Sequence, residues 1–292
     1  MNGKHVIAII GFLVLIALII YIASERQRPA EEQPQLLQTV AEDEALLTVQ
    51  LEKPPRQLLR ELKLNRTIIK KDVVSEDEVK KEIIERVPEI PQGKQSRYQA
   101  FITPDNADIV SLAGSLPENP VAIYGESVTW TWVSEETLNG VAEKWLKPNE
   151  FISGTPTYPN NPLPGEIVSD CSEQANTLVS LMRAKEVPAE NIRAVLGLVN
   201  FSGETGGHVW VEYWNGQRWI ALDATSGPYW DDAAGKKVDS RGIAFNYFAA
   251  HEYPSLEIWG YYNDVYYYDP RSGEGNPPQK WKTQQMVLVH KQ

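Results

Sequence analysis

The chain has one cysteine, Cys171, among 292 residues. A single thiol excludes an intramolecular disulfide and any cysteine-cluster zinc site. The four histidines, His5, His208, His251 and His290, are scattered, and no His-x-x-x-His pair exists. No EF-hand loop pattern is present, although carboxylates are plentiful enough to leave calcium open. The expected cofactor is therefore none, with calcium as the one reservation. Positive charge is also scarce. From Arg97 onward 14 Lys+Arg face 24 Asp+Glu, a net of −10 out of −11 for the whole chain. Phosphate backbones need clustered Lys and Arg, so nucleic acid is not an expected partner.

Aromatic residues are absent where the chain is not expected to pack. All nine Trp lie between Trp130 and Trp281, and every Tyr except Tyr21 lies at Tyr98 or beyond. Residues 24–96 lack Trp, Tyr and Phe and are rich in charge, Gln and Pro. Such composition buries too little apolar surface to fold alone. It reads as a stalk, with short helices over Gln57–Leu64 and Ser75–Arg86. Ser75 and Glu78 form a capping-box pattern. Before the stalk, Val6–Ala23 is an 18-residue run without a charge. At helical rise it spans roughly 27 Å, enough for a bilayer core. Ile22-Ala23-Ser24 is a poor cleavage site, so an uncleaved anchor is expected over a signal peptide. The predicted organisation is an anchor at 1–24, a stalk at 25–96 and a folded domain at 97–292 that ends, beyond Gly227, in an aromatic-rich extension. The expected location is a single-pass cell-membrane protein with its domain outside the cell.

Within the domain, Asp170 precedes Cys171, and Ala175, Leu178, Val179 and Met182 repeat at helical spacing. Asp170 with Glu173 fits a capping box, which puts Cys171 in the first helical turn. There the free N–H groups and the helix dipole favour an anion, so a depressed thiol pKa is expected. The Cys171 N–H is one expected oxyanion donor, and Trp130 or Trp132 is a candidate for the second.

Two alternating segments, His208–Trp214 and Gln217–Asp223, flank Asn215-Gly216, a strong two-residue hairpin signal. A two-residue turn opposes Trp214 to Gln217 and, further out, His208 to Asp223. Directly opposed residues share a face, so an imidazole would lie beside a carboxylate. That is a general base with its orienting partner. The same face carries Trp210, Trp219 and Ala221. Val209, Val211, Ile220 and Leu222 form an apolar set on the other face, which leaves the His208 face for a helix-facing cleft. Alone, Cys171 would be a buried structural thiol and His208 a satisfied strand histidine. Together, Cys171, His208 and Asp223 suggest a thiol-based acyl-transfer enzyme.

Three stretches resemble the transglutaminase-like superfamily: G-E-I-V-S-D-C-S-E-Q-A from Gly165, G-G-H-V-W-V-E-Y-W from Gly206 and R-W-I-A-L-D-A-T from Arg218. The resemblance spans about Val121 to Thr225. It implies an α+β, papain-like domain in which a Cys-bearing helix packs on an antiparallel sheet. It also implies Cys171 as nucleophile, His208 as base and Asp223 as orienting carboxylate. The substrate class it implies is an amide or peptide carbonyl on a protein or peptide, with water or an amine as acceptor. The rival reading is a non-catalytic cell-surface binding or scaffold module on the same fold.

Overall fold

The computed structural model describes residues 74–201 and 204–283. The chain falls into two units, Met1–Arg56 and Gln57–Gln292, and every described residue belongs to the second. The Val6–Ala23 run and the Gln57–Leu64 helix lie outside the described residues. Among the described residues, no helix is long and apolar enough to cross a membrane.

The elements in chain order are α1 (Glu76–Arg86), α2 (Ala107–Ser115), α3 (Pro120–Ser127), β1 (Thr131–Trp132), α4 (Glu135–Asn139), β2 (Val168–Ser169), α5 (Cys171–Ala184), β3 (Ile192–Phe201), β4 (Glu204–Trp214), β5 (Trp219–Leu222), β6 (Tyr229–Asp231), β7 (Lys236–Val238), α6 (Phe245–Ala250), β8 (Ser255–Tyr262), β9 (Tyr267–Tyr268) and α7 (Gln279–Thr283). The architecture is mixed α+β, as expected. The larger sheet is antiparallel with order β5-β4-β3-β8-β9. A smaller sheet, β2-β1-β6-β7, is parallel through β1.

Helix α1 has the capping box read from Ser75 and Glu78. Its Val79 and Ile83 are buried in the main core, so this part of the predicted stalk packs on the domain.

Helix α5 is the centre of the molecule. Every residue from Ser172 to Met182 is buried, not only the predicted apolar stripe. It lies between α2 and α3 on one side and strands β3 and β4 on the other. Two of its polar residues take partners from neighbouring segments. Tyr262 Oη donates to Asn176 Oδ1 at 2.8 Å, and the Thr103 N–H donates to Ser180 Oγ at 3.0 Å.

The tail beyond residue 227, read as an aromatic extension, supplies an interior strand. β8 pairs with β3 along its length, with two bulges. Gly197 lets the two strands approach, since a Cβ there would fall 2.2 Å from the Glu257 carbonyl oxygen.

Candidate active site

The hairpin differs from its predicted register. The ladder pairs Trp214 with Trp219 and Val211 with Leu222. The loop is Asn215–Arg218, not two residues. Asn215 Oδ1 accepts from the N–H groups of Gln217 and Arg218 at 3.0 and 2.9 Å. These side-chain bonds support a longer loop than the Asn-Gly pair alone suggests. The register is displaced by two residues, which preserves parity. A one-residue slip would have reversed the face. His208 and Asp223 therefore still meet, though diagonally. His208 Nε2 lies 3.2 Å from Asp223 Oδ2, and both side chains are buried.

Asp223 lies just past β5 and caps a short 3-10 turn, Ala224–Ser226. Its Oδ1 accepts from Thr225 N–H at 3.1 Å and Thr225 Oγ1 at 2.7 Å. Its Oδ2 accepts from the Tyr253 hydroxyl at 2.8 Å as well as facing His208. Burial works to raise its pKa, but His208 and these bonds outweigh it and hold the carboxyl below the usual range. Tyr253 was not legible in the sequence. It follows α6 in a turn, 30 residues from Asp223, and no local pattern marks it.

The predicted faces are exchanged. Tyr262, opposite Ala194, bonds to Asn176 of α5, so Ala194, Leu196, Val209 and Val211 line the helix side. His208, Trp210 and Glu212 point to the other side with Arg193. Both faces are buried, which is why apolarity alone could not tell them apart. The β4–β5 ladder stops at Val211↔Leu222 and leaves the edge of β4 open beyond it. At the edge of β4 left open there, the Val209 backbone hydrogen-bonds the Cys171 sulfur. Cys171 and His208 border one cavity, with Asp170, Glu143, Trp132, Leu196 and Trp259. Trp130 instead packs edge-on to Phe151 in the core.

Asp170 is the N-cap of α5, with Oδ1 accepting from Ser172 N–H at 2.9 Å. The capping box is not closed. Glu173 turns inward and accepts from Leu146 N–H at 2.7 Å. Oxygens of Glu135, Asp170 and Glu173 lie within 4.8 Å of one another. Their donors are too few. The single proton of Ser169 Oγ faces both Glu173 at 2.8 Å and Glu135 at 3.2 Å. That of Ser172 Oγ faces Asp170 and Glu173, each at 3.0 Å. A cluster short of donors holds protons of its own or takes a cation. Burial pushes Glu135, Glu143 and Glu173 well above the usual carboxylate range, and Asp170 adds to the rise in each. Hard oxygen donors of this kind suit calcium, and these three residues are where the described chain could hold it.

The cluster reverses the expectation for Cys171. Burial pushes its thiol well above the usual value, and Asp170 and Glu143 push the same way. The Val209 backbone bond opposes them without prevailing. A helix start favours an anion, but here the first turn faces buried carboxylates.

Residues 154–224 match the Transglutaminase-like superfamily. This transglutaminase-like segment holds Cys171, His208 and Asp223 and ends before Tyr253, α6 and β8. Among solved structures, calcium-bound LapG of Legionella pneumophila is similar at 14% identity, covering 71% of this chain and 96% of that one, with a TM-score of 0.36. Its EGTA-treated form covers 72% and 95%, at the same identity and TM-score. A candidate cysteine protease from Cytophaga hutchinsonii is similar at 18% identity, covering 49% and 44%, with a TM-score of 0.31. No curated protein matches the chain.

Proposed function

We propose that the chain is a cysteine-dependent acyl-transfer enzyme acting on amide or peptide carbonyls of a protein or peptide. The observation that carries this reading is the shared cavity of Cys171 and His208, with His208 Nε2 held by Asp223. That contact leaves Nδ1 as the nitrogen available to the thiol. Because burial keeps the thiol protonated, the first step is proton transfer from Cys171 to His208. The thiolate then attacks the carbonyl carbon. The oxyanion is met by the Cys171 N–H, with Trp132, which borders the cavity, as second donor. The imidazolium returns its proton to the departing amine or ammonia, leaving a thioester. Water or an amine then attacks the thioester, with His208 again as base. All three groups come from the chain, and no organic cofactor is required. Calcium would act at Glu135, Asp170 and Glu173, next to the nucleophile.

We place the domain outside the cell, tethered by Val6–Ala23. A thiol held protonated favours the rival scaffold reading, so the test must read chemistry. The native chain is incubated with a peptide library, acid-quenched and analysed by mass spectrometry. An acyl group on Cys171, lost in Asp223→Asn, supports the enzyme. A bare thiol under all conditions overturns it.

A further inference from the structure

The cavity of Cys171 and His208 is walled on one side by a segment that the triad does not need. Val74 and Val79 border it together with Cys171, His208, Gly207 and Trp259. The Val74 carbonyl lies so close to Gly207, the residue before His208, that a Cβ there would fall 2.5 Å from its oxygen. The remaining cavity is about 30 Å³, room for a water molecule or two. His208 is 3% exposed. Cys171 itself is only partly buried, so this segment narrows the approach of a peptide carbonyl to its sulfur.

The covering segment is lightly held. Helix α1 buries only Val79 and Ile83. Beyond these, the Trp145 N–H donates to Glu82 Oε1 at 3.4 Å, and the rest of its grip is ionic. Arg271, in the loop after β9, binds Glu76 through both terminal nitrogens, at 2.7 and 2.8 Å. Arg86 binds Glu150 at 2.9 Å. The helix ends at Arg86, just before Val87-Pro88, where the preproline residue is biased out of the helical region.

We propose that residues 74–86 are a lid, latched by Arg271–Glu76 and Arg86–Glu150, whose displacement admits the acyl donor to Cys171. The proposal rests on the acyl-transfer reading for its purpose. Val74 and Val79 are the moving wall, while Leu196, Trp132 and Trp259 are the fixed one. Opening breaks two partly exposed ion pairs and the Glu82–Trp145 bond and uncovers Val74, Val79 and Ile83, leaving α5 and the β3–β4 ladder intact.

The test uses the single cysteine of the full chain. Alkylation of Cys171 is followed with iodoacetamide and with a maleimide bearing a polyethylene glycol chain. The quantity read is the ratio of bulky-reagent to small-reagent rate, which cancels changes in intrinsic thiol reactivity. In the double variant Arg86→Gln/Arg271→Gln the ratio should rise about fivefold, since exposed ion pairs contribute modestly. Amide exchange over residues 76–86 should exceed that of α5 in the wild type and speed up further in the variant. An unchanged ratio, or exchange over 76–86 as slow as in α5, overturns the lid. Neither readout needs turnover. A lid that opens in a chain forming no acyl-enzyme overturns the reaction alone, and an acyl-enzyme with an unchanged ratio overturns the lid alone.

Discussion

The Tyr253 hydroxyl donates to Asp223 Oδ2 at 2.8 Å, on the same oxygen that faces His208 Nε2. The ring is clamped by Trp210, Phe201 and Phe248. Tyr253 is thus a positioning residue for the carboxylate. Tyr253→Phe keeps the ring and removes one bond to a charged group, a change of about 1.5 kcal/mol. Acyl-enzyme formation should slow roughly tenfold, with little change in KM. A loss of thermal stability with an unchanged rate would leave Tyr253 a purely structural residue.

The thiol of Cys171 should titrate above the usual range. Its alkylation rate should still be rising with pH at 9, where a free thiol has largely ionised. Glu143 borders the same cavity and adds to the rise. Glu143→Gln should therefore shift the rate–pH curve to lower pH. A wild-type curve matching a free thiol, or one indifferent to this substitution, would contradict the electrostatic account.

The carboxylate cluster makes stability depend on pH in a definite direction. The folded pKa of Glu135 is raised above its ordinary value of 4.5, chiefly by burial. Folding then favours the protonated form. The stabilisation is fully present below about 4.5 and is lost as pH rises through the folded value. Asp223 has the opposite sign, because its lowered pKa removes stability only on acidification. Glu135→Gln should leave Tm nearly unchanged at pH 4 and raise it at pH 8. The gain should be about 2–4 °C for each 1 kcal/mol recovered. Thermal melts across that range would show the difference growing with pH.

On the His208 side of the sheet, Arg193 and Glu212 form a fully buried ion pair, Nε to Oε2 at 2.8 Å. The guanidinium lies between the rings of Trp219 and Tyr261, at 4.1 and 3.8 Å. Removing one partner strands the other charge. Glu212→Leu should cost about 3–5 kcal/mol. Replacing both by apolar residues of similar volume should cost much less. Chemical denaturation of the single and double variants distinguishes a coupled pair from two independent losses.

Local order was largely legible in the sequence. The Ser75–Glu78 box and the start of α5 at Cys171 follow from capping and periodicity. The meeting of His208 with Asp223 was legible for a reason more robust than the register used to find it. Side chains alternate with period two, so an error of two residues in the loop left both on one face. A two-residue loop and a four-residue loop both suit Asn215-Gly216, and only the Asn215 side-chain bonds chose between them.

The sequence by itself determined the helix start at Cys171 and the shared face of His208 and Asp223. These depend on neighbours a few residues apart along helix or strand. Tertiary structure decided the rest, because it depends on distance in space. Ending the ladder at Leu222 opened an edge for the Cys171 sulfur. The fold gathered Glu135 and Glu143 around Asp170 and Glu173, and burial then turned an expected thiolate into a thiol. It brought Tyr253 to Asp223 across 30 residues and laid Val74 over Gly207 across more than 100. Propensity has no means of expressing such contacts, since each end looks ordinary until the core places it against the other.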